Sequence, residues 1–175
     1  MFAAEIRKKR VAHLRRFPQW RWHLDEVFVK INGKPSYLWR AVDHEGEVSE
    51  TVVTAKRDKA AALKFLKRIM KKYGRPKNIV TDGLCSYPVA MKEIGNADRH
   101  EVGRRLNNRA ENSHQPFRRR ERAMQRFRSA KTLQKFSSVH AQVHNHFNQE
   151  RHLVTREIYK QRRSAALAEW RAVMA

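Results

Sequence analysis

The chain has 175 residues and carries 39 lysines and arginines against 17 aspartates and glutamates, a formal net charge of +22 at pH 7. This length suits one domain with a real core, and so basic a balance indicates a polyanionic partner, most obviously nucleic acid. A structural RNA-binding protein is an alternative at this level. The single cysteine, Cys85, excludes an internal disulfide framework and a cysteine-based zinc finger within the chain.

Residues 1–20 are basic and weakly patterned, which predicts an arm or a short helix that ends near Pro18. This segment lacks the apolar stretch of a secretory signal. No part of the sequence approaches the roughly 20 consecutive apolar residues that a membrane span needs. We therefore expect a cytoplasmic protein with no membrane partner.

The first predicted elements are three consecutive antiparallel strands. Residues 22–31 carry bulky apolar side chains at both alternating sets of positions, so this strand is expected to be covered on both faces and central in its sheet. Asn32-Gly33 is a hairpin signal. Residues 37–42 and 48–53 supply the next two strands, which together make a meander.

Helices and shorter strands alternate after the meander. Asp58 is the expected N-cap of a helix that Gly74 ends, and residues 78–81 form a short strand. A short helix over residues 88–94 and a strand near 100–102 follow. The chain is then helical from Asn107, with an apolar stripe within 133–147 and a further short helix over 164–175. The order predicts an α/β fold, a mixed sheet flanked by helices.

Three carboxylates stand out against this basic background. Asp25 lies within the first strand, Asp82 ends the fourth and Glu111 opens a helix. Carboxylates among apolar strands are costly unless a positive group holds them. If the first and fourth strands are neighbours, the three can converge at one sheet edge, where open α/β sheets place their sites. Carboxylate oxygens suit Mg²⁺, and a pair of such ions can act on a phosphodiester.

Each of these carboxylates also has a purely structural interpretation, which for Asp25 is a surface position at a sheet edge or near the hairpin. Asp82 could form a turn before Gly83, and Asn108 with Glu111 has the spacing of a capping box. Glu26 alternates to the opposite face of its strand from Asp25 and is expected to be structural. His140 and His144 have metal-ligand spacing on one helix, but they lie in an apolar stripe and are expected to be core residues.

A dense basic run follows Glu111. Arg118 lies two helical turns later and near the same face, where it could hold a DNA phosphate, although Pro116 between them predicts a kink or a later helix start. His114 either touches the substrate or caps a helix. The predicted DNA-binding residues are Arg109, His114, Arg118, Arg119, Arg120 and Arg122. The alternative is a solvated basic face.

Taken in combination, these motifs resemble a known family. They are Leu24-Asp25-Glu26, Asn32-Gly33, Tyr37-Leu38-Trp39-Arg40-Ala41-Val42-Asp43, Thr81-Asp82, Asn107-Asn108-Arg109-Ala110-Glu111-Asn112-Ser113-His114 and Arg118-Arg119-Arg120-Glu121-Arg122. Over about residues 20–150 the chain resembles the catalytic domain of Asp-Asp-Glu (DDE) insertion-sequence transposases, most closely the insertion sequence six group. The resemblance implies an RNase H-like, retroviral-integrase-like fold. It also implies that Asp25, Asp82 and Glu111 are the catalytic and metal-binding triad for two Mg²⁺ or Mn²⁺ ions.

The same resemblance implies a function and a domain division. The function is metal-dependent cleavage and strand transfer of double-stranded DNA, at element ends and target, by a homodimer or larger assembly. Residues 1–20 are expected to be a basic arm left by a truncated helix-turn-helix region, 21–150 the catalytic domain and 151–175 a basic helical tail. Gly83 occupies a position where a basic residue is expected. The alternatives are a copy that binds DNA without cutting it and a stand-alone nuclease of the same fold.

Overall fold

A computed structural model describes residues 21–103, 105–124, 127–147 and 154–174 of the chain. The predicted arm at 1–20 and the predicted boundary near residue 150 lie outside these ranges. The strands are β1 (Arg21–Ile31), β2 (Lys34–Val42), β3 (Val48–Thr54), β4 (Asn78–Thr81) and β5 (His100–Val102). The α-helices are α1 (Lys59–Tyr73), α2 (Ser86–Glu93), α3 (Asn108–Ala123), α4 (Ala130–Phe147) and α5 (Arg156–Met174). No described helix is both long and apolar enough to cross a membrane.

The strands form one mixed sheet in the order β3-β2-β1-β4-β5. β1, β2 and β3 pair antiparallel, which confirms the predicted meander. At the hairpin both Asn32 (φ 49°) and Gly33 (φ 78°) take positive φ, as a two-residue type I′ turn requires. β4 pairs parallel with β1 and β5 pairs parallel with β4, so the first and fourth strands are neighbours, as the convergence of Asp25 and Asp82 requires.

Both faces of the sheet are covered. One face packs against α1 and α2 through a core that includes Trp22, Trp39 and Phe65, and the other packs through Val27, Val29 and Phe117. Phe28 was expected in the first core but is 43% exposed. The reason is that β4 runs beside β1 only as far as Leu24, so Phe28 lies along a part of β1 without that neighbour.

The helix ends follow local signals, with two corrections. The Asp58 carboxylate accepts a hydrogen bond from the Ala61 N–H at 2.9 Å, and Gly74 (φ 85°) ends α1, as predicted. α3 begins at Asn108 and continues through Pro116, so the late start offered for this helix is wrong. α5 begins at Arg156 rather than Ser164.

The buried side of α4 is more polar than the predicted apolar stripe. Its buried residues are Leu133, Ser137, Ala141, Gln142, Asn145 and His146, whereas Phe136 and Val143 are half-buried. The cause is that α4 lies along β3, the outer strand of the sheet. The Asn145 amide bonds both the N–H and the carbonyl of Val48, at 3.1 and 2.9 Å. These contacts satisfy main-chain groups that an open strand edge would leave unpaired.

His140 and His144 lie on the same helix. Their rings stack at a centroid distance of 5.9 Å, and the His140 ring also packs edge-on against Phe117. Burial lowers the pKa of His140 to about 4, helped by the nearby His144 and Arg40. These neutral, ring-packed imidazoles fit the core role that was predicted for them.

Candidate active site

Asp25 lies in the middle of β1 and is only 7% exposed. It is paired in register with Arg40 of β2, and its neighbour Leu24 is paired with Thr81, the last residue of β4. The Asp25 Oδ1 atom accepts a hydrogen bond from the Glu26 N–H at 2.9 Å. A buried carboxylate is thereby oriented towards the point where β4 ends.

Asp82 follows β4 directly. Its Oδ1 atom accepts a hydrogen bond from the Leu84 N–H at 3.2 Å, so the loop after the strand holds the carboxylate. Gly83 takes a φ of 103°, and a Cβ atom there would lie 3.5 Å from the Val102 Cγ1 atom. This left-handed backbone favours glycine, which accounts for Gly83 at a position where a basic residue was expected.

The structure gathers three carboxylates, and one of them was not predicted to take part. Among the described residues, oxygen atoms of Asp25, Glu26 and Asp82 all lie within 4.8 Å of one another; we call these residues the carboxylate cluster. Glu26 was expected to be a structural residue on the opposite face. Its side chain does contact that face, where it pairs with Arg57 and accepts a hydrogen bond from the Tyr87 hydroxyl at 3.3 Å. Its carboxylate nevertheless lies with the other two.

The electrostatics of the carboxylate cluster suit a divalent cation. Burial raises the pKa of Asp25 to about 7, and the charges of Glu26, Asp82 and Glu111 add to this effect. Burial also raises the pKa of Glu26, against the opposing effect of Arg57. The donors are all carboxylate oxygens, the ligands that Mg²⁺ prefers, and their mutual repulsion is the kind that a bound cation relieves.

Glu111 lies in the first turn of α3, is exposed, and is outside the carboxylate cluster. Its charge is still close enough to raise the pKa of Asp25. The capping-box alternative for Glu111 is wrong, because the N-cap of α3 is Asn107 rather than Asn108 and its side chain makes no capping hydrogen bond. The Asn107 Nδ2 group instead donates to the Leu24 carbonyl at 2.9 Å and fastens the start of α3 to β1 beside Asp25.

His114 and Arg40 lie on the α3 side of Asp25. The His114 Nδ1 atom is 3.7 Å from the Asp25 Oδ2 atom. Burial lowers the pKa of His114 to about 3, with help from the charges of Arg40 and Arg118, so the ring is neutral. Arg40 is fully buried and donates from Nη2 to the Ser113 carbonyl at 2.9 Å. His114 thereby packs α3 against β1, and Arg40 ties it to β2, at the level of Asp25.

The predicted DNA-binding arginines differ in their surroundings. The Arg118 Nη1 group pairs with Glu121 at 2.6 Å, and its Nη2 group donates to the Phe28 carbonyl at 2.6 Å. Arg118 therefore holds α3 to β1 in this structure. The remaining arginines of the set are exposed: Arg109, Arg119, Arg120 and Arg122.

Several residues at the site were not singled out from the sequence. They are Glu26 as a cluster member, Arg57 and Tyr87 as its partners, Asn107 as the tie between α3 and β1, and Arg40 as the buried cation opposite Asp25. Glu26 and Arg40 carried a signal, since a charge within a strand covered on both faces needs a partner. Arg57 carried none, because its loop gives no periodic pattern.

Comparison with known proteins places the chain in a family. The sequence profile of the DDE domain matches residues 19–150. The chain belongs to the DDE-domain family. A transposase for the insertion sequence-like element IS431mec of Staphylococcus aureus is 35% identical over 128 residues, which are 70% of this chain and 57% of that protein. A transposase for insertion sequence element IS257 in transposon Tn4003 from the same species matches equally well. The predicted resemblance to DDE insertion-sequence transposases is confirmed, and this chain spans a little over half the length of these relatives.

Retroviral integrases are among the solved structures that share this fold. The integrase catalytic core domain of HTLV-2 in complex with magnesium superposes with a TM-score of 0.50 at 12% identity, covering 74% of this chain and 86% of that one. A chain of the simian T-cell lymphotropic virus intasome superposes with a TM-score of 0.52 at 15% identity, covering 74% and 48%. These likenesses confirm the predicted RNase H-like, retroviral-integrase-like fold.

Proposed function

We propose that this chain is the catalytic domain of an insertion-sequence transposase that cuts a DNA strand at the end of its element and joins the freed 3′-hydroxyl to target DNA. The observation that carries the proposal is the carboxylate cluster at the end of β4, in a chain of the DDE-domain family. The insertion-sequence transposases among its relatives support the same activity.

Asp25, Asp82 and Glu111 are the residues that would hold the metal, which we propose is a pair of Mg²⁺ or Mn²⁺ ions. When bound, such ions lower the pKa of the attacking water and stabilise charge on the phosphate. The magnesium in the HTLV-2 integrase core supports the choice of metal. Glu111 is offered for this role because it lies on the helix that Asn107 fastens beside Asp25.

The protein's own groups prepare the site. The Glu26 and Leu84 N–H groups orient Asp25 and Asp82 through short local hydrogen bonds, which limits the reorganisation needed on binding. His114 stays neutral near Asp25 and so adds no positive charge that would compete with a metal. The phosphodiester displacement then needs no protein nucleophile.

The substrate is proposed to be double-stranded DNA at the element ends and the target. The exposed arginines on α3 are suited to phosphate oxygens, which position a duplex without reading its sequence. Because two element ends must be handled together, we also propose a homodimer or a larger assembly on DNA. A strictly monomeric protein in the DNA-bound complex, measured by light scattering, would contradict that part.

A strand-transfer assay tests the function. The protein is mixed with a labelled DNA duplex, a supercoiled plasmid as target, and Mg²⁺ or Mn²⁺. The duplex carries the terminal repeat of the insertion sequence that encodes the protein. The proposal predicts joined products that depend on the metal. Hydrolysis without joining would indicate a nuclease, and binding without either reaction would indicate a copy that only holds DNA.

A further inference from the structure

Glu26 is a further carboxylate at the candidate site, outside the predicted triad. Its side chain is 2% exposed, yet its carboxylate lies within 4.8 Å of the oxygens of Asp25 and Asp82. Burying a third carboxylate against two others is unfavourable unless a cation compensates it. Its partners are Arg57, from the loop between β3 and α1, and the fully buried hydroxyl of Tyr87 in α2.

Arg57 differs from His114 and Arg40, the other basic groups described beside the carboxylate cluster. Of the described residues, those in ion-pair distance of the cluster are Arg57, at Glu26, and His114, at Asp25. Arg57 is therefore the cation that pairs with Glu26 itself, whereas His114 lies against Asp25. The Arg57 side chain is 40% exposed, so its guanidinium can move away from Glu26 and stay hydrated.

We propose that Glu26 is a further carboxylate that contributes to divalent-metal binding, and that Arg57 is its internal counterion, which stabilises the cluster without metal and competes with the metal for Glu26. The proposal rests on the metal site of the proposed function. It assigns Arg57 as a positioning residue, because it acts through Glu26. Removing the Glu26 charge then weakens metal binding, whereas removing the Arg57 charge strengthens it.

The competing explanation is a structural ion pair that ties the loop before α1 to β1. The two explanations differ in sign for Arg57. A structural pair predicts that loss of either partner loosens the site and weakens metal binding alike. A competing counterion predicts opposite effects of the two substitutions on metal affinity.

The experiment measures Mn²⁺ affinity of the full chain by electron paramagnetic resonance, without DNA. We expect Glu26→Gln to weaken Mn²⁺ binding by about tenfold, at the lower end of the effect of removing a residue that supports metal ligands. Arg57→Gln is expected to tighten it several-fold. The controls are Glu93→Gln and Arg21→Gln, which remove the same charges from exposed ion pairs with Lys59 and Glu101 and should leave the affinity unchanged.

A double substitution protects the test against misfolding. Glu26→Gln combined with Arg57→Gln removes both charges, so it does not leave the Glu26 carboxylate buried without Arg57. The Mn²⁺ affinity of this double variant should match that of Glu26→Gln alone. Unchanged affinity in the variants that lack Glu26, or weaker binding in Arg57→Gln, would overturn the inference. If the unsubstituted protein binds no Mn²⁺, the proposed metal site itself fails. If Asp82→Asn loses binding while Glu26→Gln keeps it, only this inference fails.

Discussion

At the scale of single residues, main-chain N–H groups a step or two along the chain hold the two aspartates of the candidate site. The Glu26 N–H donates a hydrogen bond to Asp25, and the Leu84 N–H donates one to Asp82. The second arrangement depends on the backbone at Gly83, whose φ of 103° lets the chain turn sharply after β4. The conformation of one glycine is therefore linked to the direction of a carboxylate.

Substitution of Gly83 tests this link. Gly83→Ala forces a residue with a Cβ atom into a left-handed conformation next to Val102, and strain of this kind costs about 1–3 kcal/mol. We expect the free energy of unfolding, measured by urea denaturation, to fall by an amount in that range. Cys85→Ala, in the same loop with an exposed side chain, is the control and should change little. Equal stability of the two variants would show that the turn accommodates a side chain.

At the level of secondary-structure elements, α4 both packs against the core and hydrogen-bonds the outer strand of the sheet. Phe136 packs against Phe117 and Phe127, which extends the core on that face. The Gln134 amide accepts from the Val53 N–H and donates to the Thr51 carbonyl, each at 2.9 Å, and Asn145 does the same at Val48. The helix thereby closes the edge of β3 against pairing with another chain.

Removal of one of these amides should be costly. Asn145→Ala leaves the buried N–H and carbonyl groups of Val48 without their partner, and each unsatisfied group costs about 1–3 kcal/mol. We expect chemical denaturation to show a loss of at least about 2 kcal/mol in the free energy of unfolding. Lys135→Ala, an exposed change on the same helix, should cost far less. Similar losses in the two variants would refute the role given to the amide.

The elements also show what the sequence could predict. The meander and α1 were predictable because their signals are local: a hairpin dipeptide, an N-cap at Asp58, a terminating Gly74. The approach of Asp25 to Asp82 was predicted only on the condition that the first and fourth strands are neighbours, which the sheet order meets. The polar side of α4 was not, because it depends on which strand ends at the sheet edge. Alternation along β1 correctly put Glu26 on the other face. β4 ends opposite Leu24, however, so β4 does not extend between Glu26 and Asp82. The Glu26 side chain, which is longer than that of aspartate, therefore reaches the carboxylate cluster.

At the scale of the whole molecule, charge is distributed on both sides of the sheet. The net charge of the chain is +22, and α1 alone contains six lysines and arginines with no acidic residue. α1 packs on one face of the sheet and α3 is associated with the other, so the two basic helices are separated by the sheet. The candidate site lies close to the start of α3, and this side is the one proposed to meet the cleaved strand.

Salt dependence distinguishes these two basic surfaces. Replacing Arg119, Arg120 and Arg122 by glutamine should make the slope of log K against log salt shallower by about 2–3 for duplex DNA, since each phosphate contact contributes about 0.9. The matched control replaces Lys64, Lys67 and Lys71 on the exposed side of α1, which removes the same charge. We expect the control to keep its slope in filter-binding titrations. A larger change of slope in the control than in the α3 variant would indicate that the DNA interface lies on α1.

The role of the carboxylate cluster in catalysis is tested by comparing Asp82→Asn with the unsubstituted protein in one strand-transfer reaction, with duplex binding measured on the same samples. Asparagine keeps the size of the side chain but removes a charged ligand from the candidate metal site. Asp98→Asn, an exposed aspartate with 75% side-chain exposure, is the matched control. We expect Asp82→Asn to lower joined and cleaved products to background while DNA affinity and the control's activity stay unchanged. Strand transfer at the unsubstituted rate in Asp82→Asn would contradict this role of the cluster.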